Sequence, residues 1–276
     1  MDLEWLEDAL ALARQHSFSR AAEARNVTQP AFSRRIRALE DWLGTPLFIR
    51  GPQGVSLTPA GEHFCARAGS ITRDLSVLRR EVRTIAGREA TSLSFAATHV
   101  LSFTFFPRWL REHVGLPTSG AVNLISDSMQ GCEQAALSGD VHFLLCHHHE
   151  ASPSRFDAEE FPSLVVGQDR LVPLSAPDEN ARPLWSLPGS AERPARLLSY
   201  NPSSGLGRIL AASLPAGGDR AFLETSFTSH LAATLMTMAR EGEGIAWLPR
   251  SIAEDDIAAG HLVPAGAPDS EVPVDI

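Results

Sequence analysis

Gln29, Ser33 and Arg37 recur at i, i+4 and i+8, with Pro30 and Arg34 beside them. A helix through this stretch gathers them on one polar face. Arginine pairs with guanine, glutamine with adenine, and serine with either a base or a phosphate, so the face carries a donor set suited to base edges in a major groove. Phe32, Ile36, Leu39 and Leu43 recur at i, i+4, i+7 and i+11 and should pack inward. Any single arginine here reads more simply as a solvated charge. What favours recognition is that cap, turn and polar face all agree on one motif.

A second set of polar residues follows short apolar runs further along. The stretches are Thr98-His99-Val100-Leu101-Ser102, Ser126-Asp127-Ser128-Met129, Asn201-Pro202-Ser203-Ser204 and Thr225-Ser226-Phe227-Thr228. Parallel strands open their carboxyl ends onto helix N-termini, whose free N–H groups and partial positive charge suit a small polar or anionic ligand. Each stretch alone is a cap or a turn. Converging on one cleft, they make Thr98, His99, Ser102, Ser126, Asn201, Ser203 and Thr225 the candidate ligand contacts.

Sulfur and imidazole also cluster, in Cys146-His147-His148-His149 with His142 just upstream. No zinc-type spacing is present, and a strand end entering a surface loop accounts for the run, so neither metal nor cofactor is expected. Cys132, Cys146 and Met129 are candidates for oxidation, the alternative being small buried thiols and a core-filling thioether. Catalytic signatures are missing: Gly205-Leu206-Gly207 is too short for a nucleotide loop, and neither a Gly-x-Ser-x-Gly elbow nor a His-Glu-x-x-His helix occurs. An enzyme on an α/β fold is the remote alternative.

The elements that must position these groups are legible in turn. Leu3, Leu6, Leu10 and Ala13 mark one face of a first helix. Ser19 is a candidate cap for a short second helix to Arg25, Asn26-Val27 turns the chain, and Thr28 caps a third, in whose first turn Pro30 is tolerated and which stops at Gly44. Leu47–Arg50 and Val55–Leu57 flank the turn residues 51–54 and predict a hairpin wing, with Arg50 placed to reach phosphate or the minor groove. Thr58-Pro59 starts a long helix. Along it Phe64, Ala68, Ile71, Leu75, Leu78, Val82 and Ile85 alternate in steps of four and three, the period of a dimer seam, an amphipathic core helix being the alternative. Residues 87–91 read as a hinge.

From Ser92 onward, apolar strands alternate with helices, which predicts an α/β domain on a largely parallel sheet. Strands are expected at 93–97, 122–125, 141–145, 164–166, 171–174, 197–200, 222–224 and 244–248, with helices over about 103–113 and 131–137 and a surface excursion at 175–196. Charge divides the same way. The net charge is −9, yet residues 1–88 hold 13 Arg against 10 Asp and Glu, and the remainder 11 Arg against 23. The chain contains no lysine, so every side-chain cation other than histidine is a guanidinium, the better bidentate donor. No apolar run reaches the length of a membrane span and the N-terminus is acidic rather than signal-like, so a soluble cytoplasmic protein without membrane contact is expected. Three cysteines fit a reducing compartment.

Phe18-Ser19-Arg20-Ala21-Ala22, then Val27–Glu40, then Leu47-Phe48 and Leu57-Thr58-Pro59-Ala60-Gly61 resemble the N-terminal domain of LysR-type transcriptional regulators almost residue for residue. Gly242-x-Gly244-Ile245-Ala246-Trp247-Leu248-Pro249 echoes their second lobe. The resemblance implies an α+β multidomain chain: an N-terminal winged helix-turn-helix over 1–58, a long linker and dimerisation helix over 59–90, and a C-terminal two-lobed α/β periplasmic-binding-protein-like effector domain over 91–276. It implies double-stranded promoter DNA as partner, self-association to dimers and tetramers, a small-molecule effector, and contact with RNA polymerase. On this reading Thr28, Gln29, Pro30, Ser33, Arg34, Arg37 and Arg50 meet DNA. Residues 29–35 and 244–249 look nearest to a hypochlorite-responsive branch, which keeps oxidant sensing as the alternative signal. The family adds a strand and a helix beyond the position of Val274-Asp275-Ile276, and a shortened sequence is the favoured account.

Overall fold

The computed structural model describes residues 3–51, 54–86, 92–114, 121–152, 156, 161–214 and 222–276. The chain divides into two compact units, Met1–Thr91 with Ala135–His142 and Ser92–Gln134 with Phe143–Ile276.

In the first unit, α1 (Leu3–Gln15), α2 (Phe18–Ala24) and α3 (Gln29–Leu43) pack around Leu12, Phe18, Phe32, Ile36 and Leu39. The buried stripe of α1 runs through Leu6, Ala9 and Leu12 rather than Leu3, Leu6, Leu10 and Ala13, and Leu3 is exposed. The stripe is rotated because α1 also buries Asp8, which takes Arg25 Nε at 2.8 Å on one oxygen and Arg35 Nη1 at 3.3 Å on the other. Ser17, not Ser19, holds the N-cap position of α2. Thr28 holds that of α3 without a side-chain cap bond, and Gly44 ends the helix in the left-handed region at φ +72°, a conformation glycine adopts freely.

The wing pairs β1 (Phe48–Gly51) with β2 (Gly54–Leu57), Arg50 opposite Val55; Pro52 and Gln53 of the expected turn lie outside the described residues. Gly54 sits at φ +115° where an added Cβ would come 2.7 Å from the His16 carbonyl oxygen, so no side chain fits. Glu40 Oε1 accepts from the N–H groups of Leu47 (2.8 Å) and Phe48 (3.1 Å), tying α3 to the base of the wing. Thr58 Oγ1 accepts from Gly61 N at 2.9 Å and caps α4 (Pro59–Ile85).

The apolar row of α4 changes character along its length. Phe64 packs on the core of the first unit and Ala68 is buried, whereas Ile71, Leu75, Leu78, Val82 and Ile85 are exposed, the last by 87%. The first two expected seam positions are thus occupied by the chain itself, because α1 packs on this end of α4. The expected hinge, 87–91, lies outside the described residues.

The second unit has two lobes. In the first, β3 (Leu93–Thr98) lies between β4 (Val122–Asp127) and β5 (Phe143–Leu145), all parallel. The expected helix over 103–113 begins earlier and is broken: α5 (His99–Thr104), α6 (Phe106–Trp109) with Pro107 in its first turn, then a π-helical turn (Leu110–Val114). α7 (Met129–Leu137) follows β4. Residues 164–166 form no strand. Leu164 is 82% exposed, and Val166 N donates to the Ile276 carbonyl at 2.8 Å.

The second lobe departs from the largely parallel expectation. β7 (Ala195–Tyr200) and β8 (Leu223–Ser229) are parallel, but β6 (Gln168–Ser175) runs antiparallel to β9 (Ala246–Pro249), β10 (Val263–Pro264) and β11 (Val272–Asp275). The chain returns through the lobe after α8 (Gly205–Ser213), α9 (Ala232–Arg240) and α10 (Arg250–Ala258), so its last strands run against β6. The core gathers Leu171, Leu174, Leu198, Leu235, Ile245 and Leu248. Within the 175–196 excursion, Trp185 packs on that core and donates from Nε1 to the Gly242 carbonyl at 2.7 Å.

Candidate functional site: a polar helix face and an interlobe cavity

The polar face of α3 stands clear of the core: Gln29, Pro30, Arg34 and Arg37 are exposed, as is Thr28 before them, and Ser33 is half-buried. Arg35 does not join it. Its guanidinium turns to Glu4 at 2.9 Å and to buried Asp8, which fixes α3 against α1. Arg50 on the wing donates from Nη2 to Ser33 Oγ at 3.2 Å and lies over the Phe18 ring, 4.1 Å from its centre. A guanidinium over a ring face is attracted by the ring quadrupole. The wing cation is therefore held beside the polar helix face and stays exposed.

In the second unit, a cavity of about 40 Å³ lies between the lobes, walled by Thr98, His99 and Asp127 from the first and Ser204 and His230 from the second, with Met129 and His147. The His99 and His230 rings approach to 5.9 Å between centres. His99 Nδ1 is 3.2 Å from Ser126 Oγ, which lies 2.8 Å from Ser102 Oγ, and Ser102 Oγ donates to the His99 carbonyl. Thr98 Oγ1 and His147 Nε2 are buried without a hydrogen-bond partner among the described residues. Such groups are uncommon in native folds because burying them unpaired is costly. His147 faces Asp169 at 3.9 Å. Burial opposes charge on Asp169, yet His147, the Ser251 side chain and the Arg170 N–H hold its carboxyl below the usual range.

A helix-turn-helix with a wing, followed by a long helix and a two-lobed α/β unit, has close parallels. Residues 3–62 match the model of bacterial regulatory helix-turn-helix proteins of the lysR family, and residues 86–276 match the LysR substrate binding domain. The chain belongs to the LysR family. It is a DNA-binding transcriptional regulator with a C-terminal effector-binding domain. Curated LysR relatives include the HTH-type transcriptional regulator YjiE of Escherichia coli, 29% identical over 99% of this chain and 87% of its own length. BbuR of Bordetella bronchiseptica is 29% identical over 98% and 80%. Among solved structures, DarR of Vibrio fischeri in complex with DNA superposes at TM-score 0.55 with 26% identity, covering 100% of this chain and 91% of that one. Full-length HypT of Salmonella typhimurium, a hypochlorite-specific LysR-type regulator, does so at 0.55 with 28%, covering 100% and 90%.

Within this LysR fold, four of the seven expected ligand contacts come together: Thr98 and His99 in the cavity wall, with Ser102 and Ser126 bonded around His99. Three do not. Ser203 donates to Asn201 Oδ1 from both N and Oγ, closing a turn, and Asn201 lines a different cavity. Thr225 sits exposed within β8 opposite Leu197. β8 runs to Ser229 rather than ending at Glu224, which moves the strand exit to His230. Thr225, Phe227 and Thr228 are β-branched or aromatic, a signal for the longer strand. Of the other wall residues, Ser204 ended one of the four polar stretches and His147 stood in the sulfur and imidazole run without being chosen as contacts, and His230 was missed.

Burial pushes the Cys132 thiol up to about 12 and the Cys146 thiol up to about 11. Met129 packs against Gly205 across the cavity. No group of three His, Cys, Asp or Glu able to hold a metal occurs among the described residues, and no described helix is long and apolar enough to cross a membrane.

Proposed function

We propose that this LysR-family chain binds promoter DNA in the cytoplasm as a homodimer that pairs into tetramers. α3 lies in the major groove through Gln29, Ser33, Arg34 and Arg37, with Thr28, Pro30 and Arg50 at the flanking backbone. A small polar or anionic effector occupies the interlobe cavity against Thr98, His99 and His230, and the output is control of RNA polymerase rather than catalysis. Residues 1–58 read DNA, 59–90 join two copies through Ile71, Leu75, Leu78, Val82 and Ile85, and 91–276 receive the signal. The observation that carries the DNA reading is the single exposed face shared by Gln29, Arg34 and Arg37, with Arg50 held beside it by Ser33 and Phe18. DarR bound to DNA supports it. Arg34→Ala should cost about 1–3 kcal/mol on the cognate site and relax base preference there. Gel-shift titration giving wild-type affinity and preference overturns the assignment.

A second reading, oxidation as the signal, has Met129 in the cavity wall and the likeness to HypT in its favour. The raised thiol values of Cys132 and Cys146 speak against thiol chemistry, which needs the thiolate.

A further inference from the structure

The second lobe carries another cavity, which shares no wall residue with the one between the lobes. It measures about 260 Å³ and lies between β7 and α8, with Leu198, Leu210, Leu214 and Trp247 as apolar walls and Asn201 and Arg208 as polar members. Asn201 Oδ1 already accepts from Ser203 N (3.1 Å) and Oγ (2.6 Å), which leaves the amide N–H groups to offer. A guanidinium has donors only. The polar end therefore suits an acceptor, and the walls suit hydrocarbon.

Arg208 is singled out by its bonding. Nη1 and Nη2 donate to the two carboxylate oxygens of Glu133 at 2.6 and 3.1 Å, whereas Nε is buried and donates to nothing among the described residues. Glu133 lies on α7, after β4 of the first lobe, and Arg208 lies on α8 of the second. The pair thus fastens one lobe to the other. Arginine holds carboxylates best in a paired geometry, so a second carboxylate at this guanidinium would compete with Glu133.

We propose that this cavity binds a small amphipathic carboxylic acid. Its aromatic or branched alkyl body lies against Leu198, Leu210 and Trp247, and its carboxylate accepts from Arg208 and Asn201. The bound acid draws Arg208 away from Glu133 and loosens the fastening between the lobes.

The test is thermal melting of the full chain with benzoate and 3-methylbutanoate, benzamide serving as the uncharged control. Both acids raise Tm saturably and benzamide does not. Ala211→Trp fills the cavity from its exposed rim and removes the rise. Glu133→Gln, by removing the competitor, tightens the acids about tenfold, and Arg208→Gln weakens them about tenfold. If neither wild type nor Glu133→Gln responds, the site is overturned. It is equally overturned if the rise survives Ala211→Trp. A rise that survives Ala211→Trp but disappears with His230→Ala puts the acid in the interlobe cavity instead, leaving the proposed function standing.

Discussion

Arg50 and Phe18 form a cation–π contact, the guanidinium 4.1 Å from the ring centre, while the same guanidinium reaches Ser33 at 3.2 Å. A wing residue, an α2 residue and an α3 residue are thereby linked. The arginine is partly ordered in the chain by itself, which would lower the entropy cost of the phosphate contact proposed for it.

Arg50→Ala should weaken DNA binding evenly across sequences and lower the slope of log affinity against log salt by about 1, the signature of one lost phosphate contact. Phe18→Leu, which keeps the charge but removes the ring face, should weaken binding less and leave the slope unchanged. Salt titrations by fluorescence anisotropy measure both. A sequence-selective loss for Arg50→Ala would show instead that it reads bases.

Asp8 is a carboxylate with no exposed surface, held by Arg25 and Arg35. Breaking a buried pair strands its partners, at about 3–5 kcal/mol when all are buried. Both arginines are about a third exposed here, so water recovers part of that cost. Asp8→Ala should destabilise the first unit by about 2 kcal/mol, read as a lower urea midpoint with unchanged slope. An unaltered midpoint would mean that the triad contributes nothing.

How far the sequence revealed the structure differs between the halves for a physical reason. In the first unit each signal is local: Gly44 needs a left-handed φ, Thr58-Pro59 starts a helix, and Phe32, Ile36 and Leu39 keep the helical period. Asp8 escaped notice because its burial depends on Arg25 and Arg35, 17 and 27 residues away. In the second unit the site depends on where strands end, and a five-residue error at the end of β8 exchanged His230 for Thr225. The antiparallel pairing of β6 is long-range and leaves no period of its own in the sequence.

Ile71, Leu75, Leu78, Val82 and Ile85 form an exposed apolar row on α4. Leu75→Glu with Leu78→Glu should place charge in the seam between two copies and give monomers that bind DNA weakly. Phe64→Ala should instead destabilise the first unit, since Phe64 packs on its core. Sedimentation velocity and melting separate the two, and a double variant that stays dimeric rules out the row as the seam.

Cys132 and Cys146 should resist alkylation. With the Cys146 thiol raised from 9.0 to about 11 by burial, its thiolate fraction at pH 8 falls about a hundredfold below that of an unshifted thiol. Iodoacetamide followed by intact mass should label both quickly in urea and slowly in the folded chain. Rapid labelling of the native protein would restore the cysteines as redox candidates.

The double hydrogen bond from the N–H groups of Leu47 and Phe48 to Glu40, the Thr58 cap and the side-chain-free approach of Gly54 to His16 leave few joints inside the reading head. A torque arriving along α4 has little there to bend. If two copies join through the α4 row as proposed, what remains adjustable is the span and tilt between two heads, and the pair would work as calipers set against the helical repeat of DNA, its output registered as which phosphates both tips can touch at once.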